Sequence, residues 1–166
     1  MSVSKKFKWY VQDNNQWVGI LELKENDLME TYRIKIETET VQDLNYSHYK
    51  FHRFNYSSRE WVIDFTKSNY PNTVYRTIKS CYLEHIFENN VENVLLTYKT
   101  KDFKRHPLNR YFCKILEAKG YCYIEIVLDT FVAMLCYKDI KLIKRNERGE
   151  IETYLRDILS KYVFDE

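Results

Sequence analysis

The sequence predicts an α+β fold, a mixed and mostly antiparallel sheet with three helices, built as one domain over residues 1–166. Three observations predict it. The first third alternates apolar and polar residues with period two, the period of a strand. From Val74 the apolar spacing changes to three and four, the period of a helix. Beyond that point helix-like and strand-like stretches alternate. A strand reached through a helical crossover puts at least one parallel pair in the sheet.

Residues 6 to 66 read as antiparallel strands. Phe7, Trp9 and Val11 alternate with Lys6, Lys8 and Tyr10, and Asp13, Asn14 and Asn15 have the composition of a turn. Trp17, Gly19, Leu21 and Leu23 resume the alternation. Tyr32, Ile34 and Ile36 then oppose Arg33, Lys35 and Glu37, the cleanest period-two run in the chain. Residues 48–56 and 60–66 read as a hairpin with Ser57, Ser58 and Arg59 at its tip. Val74, Ile78, Cys81, Tyr82, Ile86 and Phe87 describe a helix over about 72–89, with Pro71 and Asn72 suited to its first turn. Val94, Leu95, Leu96 and Tyr98 form a short buried strand. Leu108, Tyr111, Phe112, Ile115 and Leu116 mark a second helix, with Pro107 near its start and Gly120 at its stop. Strands over about 121–127 and 130–137 follow. Ile151, Tyr154, Leu155, Ile158, Leu159 and Tyr162 give a last amphipathic helix. The expected order is β-β-β-β-β-α-β-α-β-β-α.

Composition excludes some classes. Hydrophobic residues are 45% and charged residues 30%, which is globular rather than disordered. The net charge of +2, from 26 basic and 24 acidic residues, is far from the strongly basic balance of a dedicated DNA-binding domain. The 15 tyrosines suit half-buried sheet positions, or else a stacking surface for bases or sugars. Cys81, Cys113, Cys122 and Cys136 show no CxxC spacing, and buried free thiols in a reducing compartment account for them. No signal peptide and no apolar run of membrane-spanning length occurs, so a cytoplasmic protein without membrane contact is expected.

Asn109 opens the helix that ends in Lys119, Gly120 and Tyr121, and this helix follows the strand Val94–Tyr98. On these residues and on the element order, the segment from about 60 to 137 resembles the GNAT acetyltransferase fold, in which a helix–strand–helix–strand–strand unit follows antiparallel strands. The segment 93–116 is also similar to small uncharacterised bacterial proteins with an Asn-Arg-x-Phe helix start. The GNAT resemblance implies acyl-CoA as cofactor and an N-acyltransferase activity. Two departures set the chain apart. The stretch matching the family's glycine-rich pyrophosphate turn, Lys67 to Thr73, has no glycine, and Pro71 removes one N–H donor. The family's tyrosine acid falls on Leu116, an apolar side chain with no proton to give.

The most conspicuous charge cluster is Lys99, Lys101, Lys104, Arg105, His106 and Arg110, opposed only by Asp102. It lies where a buried strand ends and a helix starts, a place that favours anions through the strand ends and the helix dipole. A solvated lysine loop is the competing account. Asn72 and Thr73, at the earlier helix start, suit helix capping or a second wall of the same cleft. His48 and His52 are four apart on a strand, roughly 13 Å, too far to share one metal ion. Glu125 and Asp64 are general-base candidates or outward-facing strand residues. No GxSxG, HExxH, P-loop or dinucleotide fingerprint occurs.

The expected function is therefore that of a non-catalytic GNAT-like domain that needs no cofactor and binds a protein partner or an anionic small molecule. Its expected ligand-binding residues are Lys101, Arg105, His106, Asn109, Arg110, Asn72 and Thr73. The alternatives are an acyl-CoA-dependent N-acyltransferase with a degenerate phosphate loop, and a single-stranded nucleic-acid binder, which the near-neutral charge disfavours. The stripe on the last helix allows a homodimer interface as well as packing on the domain's own sheet.

Overall fold

The computed structural model describes residues 4–13, 15–62, 71–100 and 106–161, and of Pro71 and His106 the backbone. Eight strands and four helices follow in order: β1 Ser4–Gln12, β2 Gln16–Glu25, β3 Leu28–Val41, β4 Leu44–Asn55, β5 Glu60–Val62, α1 Pro71–Glu88, β6 Asn93–Lys99, α2 His106–Ala118, β7 Cys122–Val127, β8 Phe131–Tyr137, α3 Ile140–Glu147 and α4 Ile151–Ser160. The strands form one mixed sheet in the order β1-β2-β3-β4-β6-β8-β7, with β5 on β4. Its single parallel step among the described pairings is β4 with β6, registered at Ser47 with Val94 and His48 with Leu95. The α+β class and the mostly antiparallel sheet stand as expected.

Among the described residues four helices stand where three were expected. The additional one is α3. It is eight residues long and buries a single side chain, Leu142, so no apolar stripe announces it. Its capping does. The carboxylate of Asp139 accepts the Lys141 amide at its start, and Lys144 and Arg145 sit in its last turn. It stops at Gly149, whose φ of +71° is left-handed, with Gly149 N–H on the Asn146 carbonyl and Glu150 N–H on that of Arg145.

The chain divides into two compact units. The first holds the residues up to Thr38 together with Tyr49–His85. Here Leu21, Leu23, Tyr32, Ile34 and Ile36 are fully buried, the faces that the alternation marked. Val74, Ile78, Tyr82 and His85 recur at helical spacing on the buried side of α1. The Tyr49 hydroxyl lies 2.8 Å from His85 Nδ1, and the ring of Trp17 meets His85 edge-on at 4.8 Å. Edge-to-face contacts continue outward through Trp9 to Phe7 on β1. Gly19 makes this ladder possible, because a Cβ there would come within 2.5 Å of Phe7 Cζ and 2.8 Å of Trp9 Cε3.

The second unit holds Glu39–His48 together with the residues from Ile86 on. Strand β8 runs between β6 and β7, both antiparallel to it. On one face Leu95, Leu135 and Ile126 form a core with Leu142 of α3 and Ile151, Leu155, Ile158 and Leu159 of α4. Helix α2 packs against β7 and β8 through a side that buries Phe112, Cys113 and Leu116. The apolar stripe of α4 thus packs within its own unit.

Two outcomes follow. Gly19→Val should lower unfolding free energy in urea by about 1–3 kcal/mol, since the rings of β1 must leave their places. Burial pushes the pKa of His85 down to about 4 from 6.5. The folded state then binds fewer protons than the unfolded one between those two values, so stability is full above pH 6.5 and falls as pH drops toward 4. Thermal unfolding of His85→Gln against the parent should show this part of the slope missing.

Candidate anion-binding site

Helix α2 positions the site. Its buried side is fixed on the sheet by Phe112, Cys113 and Leu116, so the intervening residues face outward. Pro107, Arg110, Tyr111 and Lys114 line an open depression of about 250 Å³ on that outer side. Its first turn carries no acidic residue, which leaves the positive end of the helix dipole uncompensated by its own side chains. Tyr111 is more than half exposed, and its ring gives the depression an apolar wall.

Arg110 is not a free cation. Its Nη2 donates to Glu125 Oε2 at 3.4 Å, and Glu125 Oε2 also accepts the Tyr123 hydroxyl at 2.6 Å. The two acceptor contacts explain the electrostatics. The hydrogen bond to Glu125 raises the pKa of Arg110, while burial first and the Glu125 carboxylate second push the Tyr123 phenol far up. Tyr98, buried on β6, is raised too, by burial and then by Glu125. Glu125 is thus tied to two partners in a structural network.

The structure brings only part of the expected set together. Arg110 lines the depression, Asn109 beside it is half-buried, and the backbone of His106 begins α2. Lys101 and Arg105 lie outside the described residues. Asn72 and Thr73 belong to the first unit, within the first turn of α1, where Asn72 is exposed and the Thr73 carbonyl accepts the Thr77 hydroxyl at 2.7 Å. Lys114 and Tyr111 were missed. The signal for Lys114 was present, since it stands one turn beyond Arg110 on the polar side of the helix, whereas Tyr111 was counted into the apolar stripe and is in fact exposed.

No protein-family model, curated protein or solved structure matches this chain. Its chemistry is read from its own residues alone. Among the described residues no cluster of three or more His, Cys, Asp or Glu side chains could hold a metal ion. His48 Nε2 lies 2.8 Å from the Thr97 hydroxyl, and His52 lies against Arg33. The four cysteines are free thiols, with Cys113 and Cys136 buried. No helix among the described residues is long and apolar enough to cross a membrane.

Proposed function

We propose that the chain is a GNAT-like domain that does not catalyse acyl transfer and instead binds an anionic group at the start of α2. The group is carried by a small molecule or by an acidic stretch of a partner protein. The observation that carries this reading is the depression lined by Pro107, Arg110, Tyr111 and Lys114 at the acid-free end of the helix. A guanidinium, an ammonium and the helix end supply charge, and the tyrosine ring supplies a face for whatever carries the anion.

Two features support the rest of it. The order α1, β6, α2, β7, β8 after a run of mostly antiparallel strands fits the resemblance, as does the parallel step onto β6. Leu116, at the position where the resemblance would put an acid, is completely buried against the sheet side of α2, so no proton donor stands there.

Titration with inorganic pyrophosphate and with CoA, followed by thermal stabilisation, tests the reading. Arg110→Ala/Lys114→Ala should weaken binding by at least about tenfold, the loss of charge-assisted contacts. Glu125→Gln should strengthen it by up to about fivefold, because Arg110 is freed from an exposed ion pair. Unchanged affinity in the double variant would overturn the site. Acyl transfer from acetyl-CoA to an amine would overturn the non-catalytic half.

A further inference from the structure

Among the described ion pairs of the first unit, those on one face of β3 and β4 do not include Arg33. On the outward face of β3 and β4, Lys35 and Lys50 both approach Glu37 Oε1, at 3.5 and 3.4 Å. Arg33, two residues before Lys35 and therefore on the same face, has no ion pair with any carboxylate among the described residues. Its Nε is buried without a hydrogen-bond partner. Its Nη2 makes one long contact, 3.5 Å, to His52 Nδ1, and its guanidinium carbon lies 4.8 Å over the ring of Trp61. Burial lowers its pKa, which is the response of a charge that has lost water and gained no counter-ion. A buried N–H without a hydrogen-bond partner is costly, and such a group calls for an explanation.

The surroundings have the shape of a ligand site. The Arg33 guanidinium sits over the Trp61 ring, and its planar fork is the group that pairs with a carboxylate or phosphate. Trp61 stacks edge-on with Phe54 at 5.2 Å, and Phe54 with Tyr56 at 4.9 Å, which extends an aromatic wall beside the cation. Tyr56 is half exposed, and its hydroxyl is fixed by Thr31 at 2.5 Å. Arg53 also has a buried Nε without a partner, but it lies on the opposite face of β4 and has no ring or imidazole contact among the described residues. Of these two arginines only Arg33 combines the missing counter-charge with a ring contact among the described residues.

We propose that Arg33, held between Trp61 and His52 with Lys35 and Lys50 beside it, anchors a second binding site that takes the oxyanion of a carboxylate or a phosphate ester. Arg33 with Lys35 and Lys50 nearby sets the sign of the ligand, and the ring of Trp61 packs against the group that bears it. The residues of this site belong to the first unit, and those at α2 belong to the second.

The test follows the Trp61 indole N–H signal, assigned with Trp61→Phe, during titration of the full chain with inorganic phosphate and separately with benzoate. Sodium chloride at equal ionic strength is the control. A saturable shift of Trp61 with one anion and not with chloride supports the site, and the responding anion tells a phosphate ligand from a carboxylate. Arg33→Lys keeps the charge but loses the planar fork, and should weaken binding at least about tenfold. Arg33→Gln should abolish it, while unchanged Trp9 and Trp17 signals report an intact fold. Arg110→Ala/Lys114→Ala should leave the Trp61 response as it was. No saturable movement with either anion in the parent chain, or equal affinity in Arg33→Lys, would overturn the proposal.

Discussion

The amide of Asn93 holds the second unit in register. It is buried at the first position of β6, and its Nδ2 donates both to the Asn45 carbonyl on β4 at 2.8 Å and to Asp139 Oδ2 at 3.2 Å. The other oxygen of Asp139 caps α3. One side chain thus ties a strand, its parallel neighbour and a helix start at a point where the backbone ladder supplies only two registered pairs. Parallel pairing is reached through a long crossover and closes late, so a side-chain clamp there matters more than in a hairpin. Everything further along depends on it. Strand β6 sets β8, β8 sets β7, and these carry Tyr98, Tyr123 and Glu125 to the side that meets Arg110 of α2.

Much of this architecture was legible in the sequence because burial follows period. Tyr32, Ile34 and Ile36 are buried while Arg33, Lys35 and Glu37 are not, as strict alternation requires. Val74, Ile78 and Ile86 told of α1, and Phe112 and Leu116 of α2, for the same reason. Helix α3 was illegible to that signal because it is held by a cap and a short turn rather than by a stripe. The clamp at Asn93 was illegible for a different reason. A polar residue at a strand start reads as a turn, and its partners lie 48 residues earlier on the parallel neighbour and 46 residues later at a helix start.

The candidate sites were less legible than the fold. Charge density drew attention to the start of α2, yet density does not say which cations are neutralised. Arg110 has Glu125, 15 residues on, as well as its place in the depression. Arg33 looked like one member of an outward-facing strand pattern. What distinguishes it is contact with Trp61 and His52, from two other strands, and the lack of a carboxylate. Such a property belongs to the tertiary structure and leaves no mark on local spacing. The tyrosines divide in the same way. Tyr32, Tyr46 and Tyr49 are core, and Tyr56 and Tyr111 are surface, a division that composition alone does not make.

Urea unfolding of Asn93→Asp and Asn93→Ala, with Asp139→Asn added to the first, probes the clamp directly. The account predicts that Asn93→Asp loses about 2–4 kcal/mol, more than Asn93→Ala, because a buried carboxylate then faces the half-buried carboxylate of Asp139. It predicts that Asp139→Asn restores a good part of that loss in the double variant. Losses under about 0.5 kcal/mol in both single variants would show that β6 keeps its place without Asn93, and would contradict the account.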